Sequence, residues 1–188
     1  MDGERCANRF ISMMKSRRKY AGFYEGDTKE LKESGVFQDF VDANASELQL
    51  TNVQRPEKSH ESPDFLSNDP QGKRIGIEVT EIVSEKAIRI NQEVDDKWKS
   101  VYCDWPESAV VKEIRTILCK KDKKKYVGGP FEKLIVVIYT DEPTIQFEKY
   151  GSVLPSGKFG PLNQITDAYF LFSYDPSVKC SPCVKLQL

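Results

Sequence analysis

The sequence predicts an α/β domain whose mixed sheet is flanked by helices. Three observations carry that expectation. Leu134-Ile135-Val136-Val137-Ile138-Tyr139 is a continuous apolar run of strand length, the pattern of a central strand buried on both faces. Arg74 to Val83 is a second strand-like run, preceded by two shorter strand signals that make a three-strand meander. Between the two runs lie segments of helical period, so the connection is a helical crossover.

The elements follow in order. Residues 1–27 form a basic and aromatic arm containing Lys15, Arg17, Arg18, Lys19, Tyr20, Phe23 and Tyr24. Asp27 or Thr28 caps a helix that starts near Lys29, with Leu31, Phe37, Phe40 and Val41 on its apolar face. Gly35 weakens that helix, and Asn44 or Ser46 ends it. Glu47 to Val53 alternates polar and apolar residues, as a half-buried strand does, until Arg55-Pro56 breaks it. A polar turn over 54–62, holding the single histidine His60, leads to a strand start at Pro63-Asp64-Phe65-Leu66. Asn68-Asp69-Pro70-Gln71-Gly72 is a hairpin turn signal. In the strand that follows, Ile75, Ile77 and Val79 point one way and Gly76, Glu78, Thr80 and Ile82 the other.

Ser84 caps a second helix, on which Ala87, Ile88, Val94, Trp98 and Val101 recur at roughly helical period. Pro106 opens a third, from 107 to about 121, with Val110, Val111, Ile114, Ile117 and Leu118 apolar. Gly128-Gly129-Pro130 stops the segment before the buried strand. A Gly- and Pro-rich stretch over 151–161 leads to one more strand, Ala168-Tyr169-Phe170-Leu171-Phe172. The whole reads as one domain over 28–188, with a core at about 28–140 and a C-terminal extension from 141 to 188.

Composition narrows the function classes. The formal net charge of −1 excludes a dedicated non-specific nucleic-acid coat, which would be strongly basic. Cations gathered on one face remain compatible with nucleic-acid binding. No run approaches the roughly 18 apolar residues of a membrane span, and the opening Met1-Asp2-Gly3-Glu4-Arg5 lacks a signal-peptide core. A cytoplasmic protein is expected. Cys6, Cys103, Cys119, Cys180 and Cys183 fit reduced thiols better than a disulfide framework. Cys180-Ser181-Pro182-Cys183 has zinc-ribbon or redox spacing, but only Cys103 and Cys119 offer a second pair, so free thiols are the preferred reading. One histidine argues against mechanisms that need two, and no Ser or Cys triad, phosphate loop or dinucleotide fingerprint is present.

The chemistry centres on two acids. Folding the hairpin at 68–72 sets Asp64 beside Glu78 on neighbouring strands. Cross-strand neighbours lie about 5 Å apart, close enough to share one cation. Two hard oxygen donors at that separation suit Mg²⁺, which takes few carboxylates and keeps several waters. Glu78 stands between Ile77 and Val79 in an otherwise apolar strand. A glutamate there must be paired, exposed or metal-bound. Lys120, Lys121, Lys123, Lys124 and Lys125 form the densest positive run, at a helix end where cations favour the dipole. That run either grips a phosphate backbone, with Tyr126 against a sugar or base, or is a solvated helix end.

The strings Glu61-Ser62-Pro63-Asp64-Phe65 and Arg74-Ile75-Gly76-Ile77-Glu78-Val79-Thr80-Glu81 resemble the core of the PD-(D/E)XK phosphodiesterase superfamily. The resemblance covers roughly residues 28 to 140. It implies a restriction-endonuclease-like α-β-β-β-α-β core and a metal-dependent endonuclease, with Mg²⁺ or Mn²⁺ held by Asp64 and Glu78. Nucleic acid, DNA foremost, would be the partner, and a homodimer is the arrangement often used to cut both strands. An extra acid on the first helix, Glu30 or Glu33, is also implied. The lysine expected two residues after Glu78 is Thr80 here. Threonine can hydrogen-bond the attacking water but carries no charge. Either a lysine reaches in from elsewhere (Lys86, Lys120 or Lys121), or the metal alone activates water, or the fold is a catalytically degenerate module that binds nucleic acid or a partner protein.

Overall fold

The computed structural model describes residues 28–57, 61–93 and 101–188. The basic arm at 1–27, His60, Val94 and Trp98 lie outside the described residues. Helix α1 spans Lys29–Ala43, and the Thr28 hydroxyl caps it by accepting from the Leu31 N–H at 3.3 Å. Strands β1 (Thr51–Gln54), β2 (Phe65–Asn68) and β3 (Arg74–Glu81) form the meander. Helices α2 (Glu85–Glu93) and α3 (Glu107–Asp122) cross over to β4 (Lys133–Tyr139). Two short helices, α4 (Phe147–Tyr150) and α5 (Val153–Ser156), precede β5 (Asp167–Leu171) and β6 (Cys183–Leu186).

The six strands lie in sequence order in one mixed sheet. The β1–β2, β2–β3 and β5–β6 pairs are antiparallel, while β3–β4 and β4–β5 are parallel. Each face carries its own core, as parallel strands require. On one face Val36, Phe37 and Phe40 of α1 pack on Phe65, Ile75, Ile77, Val79, Ile135 and Val137. On the other, Val110, Ile114 and Leu118 of α3 pack on Leu134, Val136, Ile138 and Phe170. The α/β class, the mixed sheet and the flanking helices are therefore as expected.

The β2–β3 hairpin is held by Asp69. Its side chain accepts from the Gln71 and Lys73 N–H groups at 2.9 and 2.8 Å, and its N–H donates to the Lys73 carbonyl at 2.9 Å. Gly72 adopts φ +80°, which only a residue without a Cβ takes without strain. That turn sets the register Phe65↔Ile77 and Leu66↔Gly76.

Several expectations are corrected. Leu31 is 59% exposed, and the buried face of α1 is Val36, Phe37, Phe40 and, unexpectedly, Glu33. The strand expected over 47–53 shortens to the exposed edge strand β1, while Leu48 and Leu50 reach the core from the preceding loop. Val101 lies in a loop and is 40% exposed, so the second helix does not carry it. The 151–161 stretch contains α5, and β6 closes the sheet at the edge opposite β1. Cys183 opens β6, and burial pushes its thiol up to about 11, whereas Cys180 is exposed. No helix among the described residues is long and apolar enough to cross a membrane.

Candidate active site

Asp64 immediately precedes β2, and continuing the β2–β3 register places it opposite Glu78. Its Oδ2 accepts from the Val79 N–H at 2.8 Å, so the carboxyl is pinned beside the strand that carries Glu78. Gly76 makes room for this approach. A Cβ there would stand 3.1 Å from Pro63 Cγ and 3.2 Å from Leu134 Cδ1. Glycine at 76 thus lets the proline before Asp64 sit down on the sheet.

Glu78 is only 3% exposed. A buried carboxylate must find partners, and here they come from α3. Lys121 Nζ stands 2.5 Å from Oε1, and Lys124 Nζ stands 3.1 Å from the same oxygen. Lys121 lies in the last turn of α3 and Lys124 just beyond its end, and both reach the same carboxylate. Lys124 also lies 4.7 Å from the ring centroid of Tyr126. The Tyr126 hydroxyl is buried without a hydrogen-bond partner, and burial, with the charges of Glu78 and Asp64, raises its pKa.

The first helix adds Glu33. It is buried and bridges Lys29 at 3.1 Å and Arg55 at 3.0 Å. Arg55 also donates to the Glu30 carbonyl and lies over the Phe65 ring, and its Nε is buried without a partner. Glu33, Arg55, Asp64, Glu78, Lys121 and Lys124 all line one cavity of about 590 Å³. Burial first, then the neighbouring charge of Glu78, pushes the Asp64 carboxyl up to about 6 from its ordinary 3.8.

What keeps the lysines in place is Asp122. Its carboxylate accepts from the backbone N–H groups of Asn163, Gln164 and Ile165 at 2.7–3.1 Å. Those bonds outweigh the cost of burial and lower its pKa. The Gln164 amide in turn donates to the Asp122 and Lys124 carbonyls. The end of α3 is thereby fastened to the loop before β5.

The site residues expected from sequence divide accordingly. Asp64, Glu78 and Lys121 come together, and Glu33 rather than Glu30 joins them. Thr80 shares the β3 face of Glu78 but lines a neighbouring cavity of about 490 Å³ instead. Lys120 borders that second cavity, while Lys86, Lys123 and Lys125 are exposed and line neither. Arg55, Lys124 as a Glu78 partner and Asp122 were not anticipated. The i, i+3 spacing of 121 and 124 was the available signal for Lys124, whereas nothing local marks Arg55.

Among the described residues no three His, Cys, Asp or Glu side chains form a metal-holding group, and Cys103, Cys119, Cys180 and Cys183 are free. Asp64 and Glu78 are the two carboxylates that would hold a metal here. That donor set fits Mg²⁺ or Mn²⁺, which complete their shells with water and substrate oxygen. Burial first, and then the charge of Glu78, disfavours the ionised Asp64 carboxyl, and a cation bound there would favour it. Comparison with protein-family models, with curated proteins and with solved structures gave no match.

Proposed function

We propose that this chain is a metal-dependent nuclease of the PD-(D/E)XK type, hydrolysing phosphodiester bonds in nucleic acid, DNA foremost. The observation that carries the reading is Lys121. It reaches Glu78 at 2.5 Å inside the cavity that also holds Asp64, supplying the charge that Thr80 lacks. Asp64 and Glu78 would hold Mg²⁺ or Mn²⁺, which would supply Lewis acidity and lower the pKa of a bound water. The chain's own groups do the rest. Lys121 orients the attacking water and offsets charge that develops on the phosphate. Lys124 and Arg55 face the same cavity and hold the non-bridging oxygens. Asp122 and Gln164 keep the two lysines aimed.

A second reading has its own support. Glu78 already has two ammonium partners, so its burial is compatible with a site that never takes a metal. A module that only binds nucleic acid or a partner protein would look the same. Cleavage of plasmid, single-stranded DNA and RNA with Mg²⁺ or Mn²⁺ decides between them. The nuclease reading expects cutting by the wild type that disappears in Asp64→Ala and Glu78→Ala. An inactive but folded wild type would leave the binding module.

A further inference from the structure

The second cavity adjoins the first along α3, and Lys121 and Lys124 line both. These two side chains therefore form a partition, both tied to Glu78 on one side, with Lys124 also set against the Tyr126 ring. On the far side of the partition the chemistry changes. Val83 and Ile117 offer apolar surface, Thr80 and Thr116 offer hydroxyls, and the carboxylates of Glu81, Glu85 and Glu113 stand beside the ammonium of Lys120. Three carboxylates balance the three lysines of the lining, two of which are already tied to Glu78, so no surplus of positive charge is left to draw in a second phosphate. A flat, uncharged group with a polar edge is what this mixture suits, and a nucleobase is such a group. Carboxylates accept from base amino groups, and hydroxyls pair with either donors or acceptors.

The order of the two cavities matches the covalent order of a strand. A phosphate at the lysine pair has its nucleoside attached directly, so the base falls beside it. A base in a duplex has its edge paired and its faces stacked, and must leave the stack to enter a pocket of this kind. We propose that the second cavity receives an unpaired nucleobase next to the phosphodiester held at Lys121 and Lys124, so that the substrate is single-stranded nucleic acid. The proposal rests on the nuclease reading for its phosphate, and the test separates the two.

Full-length protein with Mn²⁺ is assayed on three substrates: a labelled single strand, the same strand annealed to its complement, and bis(p-nitrophenyl) phosphate, which carries no base. Thr116→Trp, an exposed helix position at the rim of the second cavity, obstructs that cavity without touching the one that holds Asp64 and Glu78. The expected result is a single strand cut at least about tenfold faster than the duplex, the scale of one base-binding contact. Thr116→Trp should raise KM for the single strand about tenfold and leave the small diester unchanged. Equal or faster cutting of duplex, or a KM untouched by Thr116→Trp, would overturn the proposal while leaving the nuclease intact. If no substrate is hydrolysed, the nuclease reading falls, and fluorescence anisotropy decides the cavity. Binding of the single strand over the duplex, weakened by Thr116→Trp, supports it; equal binding, none, or no change in the variant sinks it.

Discussion

Asp64 combines a partly buried carboxyl with an anionic neighbour, and that combination has a measurable pH signature. Its native pKa of about 6 lies above the ordinary 3.8. Between those values the native state holds more protons than the unfolded one, so stability falls as pH rises through that window. The penalty is complete above it. Without divalent metal, Asp64→Asn should therefore stabilise the protein at neutral pH by on the order of 1–3 kcal/mol and by nothing near pH 3. Urea midpoints at the two pH values check it, and an equal effect at both would show that the carboxyl does not carry this strain. Lys121 and Thr80 offer a sharper contrast. Lys121→Ala should cost on the order of 10²-fold in kcat, as loss of one preorganised charge donor does. Thr80→Ala should leave kcat on bis(p-nitrophenyl) phosphate within about twofold, because Thr80 lines the neighbouring cavity. The reverse pattern would return the water-positioning role to Thr80.

At the scale of elements, the end of α3 is the part that turns fold into site. Asp122 satisfies three backbone N–H groups of the loop before β5. Asp122→Ala leaves them without their carboxylate and should cost about 2–4 kcal/mol, read by denaturant unfolding. Asp122→Asn should recover only part of that, since an amide oxygen is a weaker acceptor than a carboxylate. The strands show which local patterns were legible in the sequence. In β3 the alternation of two residue types, period two, assigned Ile75, Ile77 and Val79 to one core and left Glu78 with Ile82 on the other face. The turn at 68–72 was legible because Asp and Gly each do one physical job there. Asp64 and Glu78 follow from those two facts. Leu31 and Glu33 were misjudged for the converse reason. Leu31 stays exposed, and the burial of Glu33 goes with Arg55, which follows β1 and sets its guanidinium against α1. No periodicity within α1 encodes that arrival.

For the whole molecule, two cores on one sheet place the acids at the boundary between them. α1 delivers Glu33 from one face, and α3 with the residues just after it delivers Lys121 and Lys124 from the other. The six strands were only partly foreseen, since β6 lies in a polar tail whose strand signal is four residues long. A site assembled from β2, β3, α1 and α3 exists only in the folded chain. A cation bound there should stabilise the fold by RT ln(1 + [L]/Kd), about 2.7 kcal/mol at a hundredfold excess over Kd. Thermal unfolding with and without Mn²⁺ should show that gain in the wild type and none in Glu78→Ala. An equal gain in both would place the ion somewhere else.

The tie between Asp122 and the loop before β5 has a genetic consequence. Asn163 lies forty-one residues beyond Asp122, and its side chain and N–H are spent on the Asp122 carboxylate rather than on the acids or lysines of the cavity. Substitutions there change no charge at the cavity. In a random library selected for lost activity, hits would nonetheless gather at 163–165 as well as at the acids. Second-site revertants of those hits would be sought on α3, not on the strands that carry Asp64 and Glu78.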